Sequence, residues 1–318
     1  MSAPALLSAL ALLAAPQLSD QPEPQTPPQT PPATAGGEVD LGAVDAVGQR
    51  SIVNRAARFV EEVVAAPPGR GLARWDRAVC VGVANLKRPY AQFMIDRVSA
   101  IAIELGLEVG EPGCRPNILI VAENEPDSLA RGMVEEDRFG FRPALNHTDL
   151  GSRALEQFQS TDAPVRWWLV SLPVGADTGE IAIRLKDEEA PQLRVREASH
   201  LSSNVRDDLV RAIVILDASR MDEVRFDGLS DYVALVALAQ IDATADVSSW
   251  PSVLNLFTAE EQMAGLTDWD LDYLHALYDA PRNLLNPDQQ AREIVRGLVE
   301  EQTRSHEERP EAAPTPTP

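Results

Sequence analysis

Basic residues are in short supply. Lys and Arg together number 28 against 49 Asp and Glu, a formal net charge of −21, and Lys occurs only at Lys87 and Lys186. The cations form no stripe or cluster. Phosphate backbones and anionic membrane surfaces are held by concentrated positive charge, so nucleic-acid binding is not expected. The acidity reads as solubility. No apolar run reaches the roughly 20 residues that a membrane-spanning helix needs, so no stable membrane span is expected. Histidine is also sparse. His147, His200, His275 and His306 stand apart, and none pairs with another at the spacing that sets two imidazoles on one helical face around zinc. There is no Gly-rich phosphate loop, no Gly-x-Ser-x-Gly elbow and no Cys-x-x-Cys. No internal repeat is visible at solenoid periods.

The N-terminus, MSAPALLSALALLAAPQ, holds an apolar run over Ala3–Ala15. Its length suits the apolar segment of a secretory signal, and Ala14 and Ala15 suit a cleavage site. Residues 1–18 are therefore expected to be a signal peptide, which directs the chain to the periplasm or the exterior. The competing reading is a cytoplasmic protein with a frayed apolar end, because no Lys or Arg precedes Arg50. No Cys follows the run, so a lipid-anchored mature N-terminus is not expected. Residues 19–45 are rich in Pro, Gln and Thr, and 304–318 are acidic and then Pro/Thr-rich. Both stretches carry too little apolar surface to fold and are expected to be disordered. Residues 46–303 remain for a single domain. The two cysteines, Cys80 and Cys114, could form one disulfide in an exported protein, or stay as buried thiols.

Within that domain, helical spacing covers Ser51–Ala65, with Val53, Ala56, Val60 and Val63 on one face. Arg77–Ala84 reads as a strand, Tyr90–Leu105 as a helix with Phe93, Ile95, Val98, Ile101 and Ile103 as its apolar surface, and Asn117–Ala122 as a strand. This is a βαβ-like start. It places Cys80 in the first strand and Cys114 just before the second. Short helices follow over Ser128–Glu136 and Leu150–Phe158. Arg166–Leu172 reads as a strand, with Ile181–Leu185 as its partner, and Arg211–Ala218 as a further buried strand. Leu229–Ile241 is almost wholly apolar and should be a central buried helix. Thr267 is the N-cap of another helix, with Asp268 and Asp270 in its first turn. An amphipathic helix over Asp288–Gln302 ends the domain. Strands first and helices last predict an α+β fold with a helical C-terminal part.

Chemistry-bearing residues are weakly marked. His275 sits on an amphipathic helix and reads as packed or surface-bound. His200, in ASHLSSN, could support hydrolysis with a nearby Ser. Asp217 ends a buried strand and Asp231 enters the apolar helix, so either could serve in a cleft or merely cap and solvate. Trp167 and Trp168 are adjacent in a strand and should face opposite sides, which argues against a two-Trp platform.

Two stretches carry a family pattern: Ser252-Val-Leu-Asn255-Leu-Phe257, and Leu266-Thr267-Asp-Trp269-Asp270-Leu-Asp-Tyr273-Leu-His-Ala-Leu277-Tyr278. They resemble a proteobacterial family of unknown function with many exported, lipoprotein-type members, which itself looks like the zincin-type metallopeptidases. The resemblance implies a zincin-like mixed sheet with packed helices. It also implies a helix with a His-Glu-x-x-His-like core ahead of these stretches. Laid on that core, Tyr232 and Val236 fall where zinc ligands belong and Val233 where the general base belongs. A zinc hydrolase needs two imidazoles, a third ligand and a carboxylate, so the resemblance implies a degenerate member with no metal, no cofactor and no catalytic residue. The favoured function is a non-catalytic exported binding or scaffolding protein whose partner is a protein or cell-envelope component of unknown identity. The alternative is a periplasmic hydrolase using Asp, Glu or His residues elsewhere.

Overall fold

The structure, a computed structural model, describes residues 41–144, 148–186, 189, 191, 195, 202–222, 224–259 and 263–308; the side chains of 41–49 and 306–308 are not described. The expected signal peptide and nearly all of the expected linker lie outside these residues, as do 309–318 of the expected tail. Both inner boundaries shift. A helix begins at Leu41, inside the expected linker, and the last helix runs to Glu308, past the expected end at 303.

The fold is α+β. A four-stranded mixed sheet has the order β1-β2-β4-β3, with β1 (Val81–Ala84), β2 (Ile118–Glu123), β3 (Val165–Gly175) and β4 (Val205–Asp217). β1, β2 and β4 run parallel; β3 is antiparallel to β4 and forms one edge. The helices are α1 (Leu41–Glu62), α2 (Arg88–Glu104), α3 (Pro126–Glu136), α4 (Arg138–Phe141), α5 (Ser152–Ser160), α6 (Phe226–Leu238), α7 (Asp268–Asp279) and α8 (Pro287–Glu308). The expected β-α-β start is present as β1-α2-β2.

Period-two alternation divides the sheet's side chains between two cores. Ile118, Ile120, Ala212, Val214 and Leu216 join the larger core with α1, α2, α6, α7 and α8. Trp168, Val170, Ile213 and Ile215 join a smaller core with α3, α4 and α5. The sheet is thus covered on both faces, as parallel strands require.

Several expectations need correction. The partner of β3 is β4, not Ile181–Leu185; Ile181 makes only an isolated bridge to Val174, and Leu185 one to Ala144. β4 starts six residues before the expected Arg211, in the polar run Arg206-Asp207-Asp208. Those charges are tolerated because Arg70 pairs with Asp207, and Arg206 and Arg282 both pair with Asp208 and Asp76. The buried residues of α1 are Ala56 and Phe59, followed by Val63 just past its end, with Val53 43% exposed. On α2 the buried residues are Met94, Val98, Ile101 and Ala102, while Phe93 and Ile103 face outward.

Cys80 and Cys114 form a disulfide, with Cα atoms 6.1 Å apart. It ties the residue before β1 to the turn before β2. Such a bridge restricts the unfolded chain, and one closing a 34-residue separation stabilises by about 3–4 kcal/mol in the chain-entropy view. Thermal unfolding with and without dithiothreitol is expected to show a lower midpoint after reduction, and Cys80→Ser with Cys114→Ser is expected to reproduce it. Unchanged midpoints would contradict this role.

Candidate functional site

α6 is the element on which the degenerate-site expectation rests. From Gly228 to Ile241 every residue is buried. A helix that is apolar on all sides has to be enclosed on all sides. Tyr232 is 7% exposed, and Val233 and Val236 are fully buried. The Tyr232 ring meets Trp167 and Phe257 edge-on, at 6.1 and 5.5 Å between centroids. Burial pushes its hydroxyl well above the ordinary phenol range, so it stays neutral. Two valines and a neutral phenol cannot hold zinc or take a proton from bound water. Among the described residues no group of three His, Cys, Asp or Glu side chains is arranged to hold a metal. These residues do not fit a zinc ion.

The C-terminal end of α6 is buried, so its last carbonyls need donors. The Trp75 indole donates to Ala237 O at 2.9 Å, and the Tyr278 hydroxyl donates to Leu238 O at 2.8 Å. Gln240 Oε1 then accepts from Ala73 N–H at 2.7 Å. The irregular segment 72–76 is therefore bound into the interior by side chains. Arg74, 4% exposed, donates to Leu277 O and Ala280 O at the end of α7, and its burial lowers its pKa to about 10.

The family-like residues form one structural assembly. Thr267 caps α7 in a capping box with Asp270. The fully buried Asp270 carboxylate also accepts from Ser252 Oγ at 2.5 Å and from Val253 N–H at 2.8 Å. Asn255 donates through its amide to Val247 O, Trp250 O and Ser252 O, closing the 247–255 turn. Phe257 lies against Tyr232. Trp269 and Tyr273 pack on Phe59 of α1, at 5.5 and 5.0 Å between ring centroids. This arrangement of the motif joins α1, α6 and α7.

The other candidates are placed as follows. Asp231 is buried and gripped by Arg97 Nε and Nη2, and it accepts from Leu266 N–H at 2.8 Å. A Cβ at Gly265 would lie 2.3 Å from Asp231 Oδ2, so this contact depends on glycine. Asp217 accepts from Ser219 N–H and Oγ, which caps a short 3-10 turn. His275 Nε2 lies 3.7 Å from Glu104 on the surface. His147 and His200 lie outside the described residues, as does the side chain of His306. Trp167 and Trp168 do face opposite sides. Trp168 is in the smaller core and donates to Phe141 O at 2.9 Å, whereas the half-buried Trp167 donates to Ile241 O at 3.1 Å.

The feature that sequence reasoning missed is a groove beside β3, open to solvent. Its floor is the β3 edge, Val165 to Leu169. One wall comes from Leu150 and α5, the other from Ala65, Pro67 and residues 240–244. The one available signal was Trp167, a bulky aromatic in a strand, which the structure leaves only half-buried at the margin of the larger core. No protein-family model matches the chain, and neither the curated proteins nor the solved structures hold one detectably similar to it.

Burial raises the Asp270 carboxyl above the ordinary carboxylate range, against its hydrogen bonds from Ser252, Thr267 and Val253. The folded state therefore keeps this proton to higher pH than the unfolded chain does. Its contribution to stability is greatest at low pH and declines as pH rises from the unfolded pKa through the raised folded one. Urea unfolding across that window should show a flatter profile for Asp270→Asn, which retains an acceptor. Asp270→Ala leaves Ser252, Val253 and Thr267 without theirs and is expected to cost about 2–3 kcal/mol.

Proposed function

We propose that this chain is a non-catalytic binding or scaffolding protein of the periplasm or cell exterior, built on a degenerate zincin-like core. The observation that carries the reading is the identity of the three α6 residues at the site positions. Tyr232, Val233 and Val236 are packed as interior, with no donor set and no base among them. The Cys80–Cys114 disulfide supports export, since such bonds persist in oxidising compartments. Among the described residues no helix is long and apolar enough to cross a membrane. A mixed sheet covered by helices and ending in a helical C-terminal part accords with the zincin-like reading.

The hydrolase alternative gains little from the carboxylates named for it. Asp231 is held by Arg97 and Leu266, and Asp217 by Ser219. A recessed groove elsewhere on the molecule supports binding as the task, with a protein or cell-envelope component as partner.

The test is metal content and peptidase activity of the full chain, purified with its disulfide intact and equilibrated with zinc. After removal of excess metal, zinc is expected far below one ion per chain, and a broad peptide library is expected to remain uncut. Stoichiometric zinc, or cleavage abolished by a chelator, would overturn the reading.

A further inference from the structure

The free edge of β3 has a backbone parity that the hydrogen bonds fix. Ala212 of β4 donates its N–H to Asn117 O, on the β2 side. Its cross-strand partner on β3 is Leu169. In an antiparallel ladder, opposed residues turn their N–H and C=O both toward each other or both away. Leu169 therefore points its backbone groups away from β4, and by alternation so do Trp167 and Val165. Asp217 N–H donating to Pro164 O agrees, since it places Pro164 among the inward-turned residues. Farther along, the edge is engaged: Ser171 N–H bonds to Thr148 O, and Val174 bridges Ile181. Among the described residues, nothing bonds to the outward backbone of Trp167 and Leu169.

Open edges usually carry protection, through Lys, Pro, a bulge or a covering segment. Pro164 and Pro173 bracket this one, and the register shift falls at Val170/Ser171. Between them, Val165–Leu169 has no Pro and no Lys. Its one charged side chain, Arg166, is 3% exposed and is spent on Asp127, Phe158 O and Thr161 O.

We propose that this edge takes up an extended polypeptide strand of alternating apolar and basic residues, as a fifth strand of the sheet. The proposal rests on the binding-protein reading and gives it a ligand class. The edge lies between two walls, α5 on one side and 240–244 on the other. Walls on both sides favour a single added strand over the edge of a second copy, which would bring its own walls to the same place. The Pro-rich stretch of this chain itself, within residues 17–37, is a poor occupant because proline lacks the N–H that strand addition uses. Apolar side chains on one face of such a strand suit Leu150 and Ala154 on the α5 wall. Basic ones suit the carboxylates. Asp149 is already paired with Arg142, but Asp242 on the opposite wall has no ion pair among the described residues, and the whole chain is strongly acidic.

The probes are a capped Thr-Val-Lys-Val-Lys-Val-Thr peptide, its copy N-methylated at alternate amides, its copy with Glu for Lys, and the peptide of residues 22–36. The readout is amide hydrogen exchange and chemical shift in the full, disulfide-bonded chain. Only the first peptide is expected to bind saturably, with slowed exchange at Trp167 and Leu169. Leu169→Pro removes an N–H that the sheet does not use, so it should fold and lose at least about tenfold in affinity. Asp242→Asn, which keeps the turn acceptor for Thr244, is expected to lose about threefold at low salt and less at high salt. Binding unaffected by N-methylation, absence of binding, tighter binding of residues 22–36, or slow exchange at both amides before any peptide is added would each overturn the proposal. Cleavage of the bound peptide, read by mass spectrometry, would instead remove the non-catalytic reading and leave strand addition standing.

Discussion

Between Gly228 and Ile241 the chain is withdrawn from water on all sides. Such a helix supplies no polar face of its own, so every neighbour must come to it. The sheet lies along one side and α2 along another. The 253–257 turn packs on it as well, and Tyr278 of α7 reaches its last carbonyl. Each fully buried Leu or Val contributes on the order of 1.5–3 kcal/mol, and α6 and the three residues after it hold Leu229, Val233, Leu235, Val236, Leu238 and Ile241. The few polar atoms on the helix are correspondingly well provided for. Ser230 bonds back to Phe226 O, Asp231 meets Arg97, and the terminal carbonyls meet Trp75 and Tyr278.

That demand explains the dense side-chain bonding around it. Asp270 is a buried carboxylate whose acceptors are used by Ser252, Val253 and Thr267, all groups that would otherwise be orphaned. Gln240 and Gln290 do the same for the irregular 72–73 segment: Gln240 accepts from Ala73, and Gln290 both accepts from and donates to Leu72. Buried loops survive only where backbone groups find partners. Here glutamine side chains and Arg74 supply them. Residues with the look of a catalytic motif thus serve packing and capping, although the Trp269 indole N–H and the Tyr273 hydroxyl are buried with no hydrogen-bond partner among the described residues.

What could be read in the sequence was local. The apolar run of α6, the Thr267 cap, the β-α-β start and the reach between Cys80 and Cys114 all follow from patterns within a few residues or one supersecondary unit. What could not be read depended on distant partners. β4 begins in Arg206-Asp207-Asp208 because Arg70 and Arg282 neutralise it, from 137 and 74 residues away. The stripe of α1 turned toward Phe59 because Trp250, Trp269 and Tyr273 wait there. Ile181–Leu185 had the composition of a strand, but β4 offered β3 a longer ladder. The groove was invisible because its floor and two walls come from three separated parts of the chain.

The placement of α6 has a consequence for how the molecule is made. Its wrapping comes from both sides in sequence: α1, the 72–76 segment and α2 precede it, and α7 and α8 follow. A nascent chain that has emerged only as far as residue 241 presents a naked apolar cylinder with half its coat missing. Until the C-terminal helices dock, that apolar surface lacks part of its cover and is open to self-association.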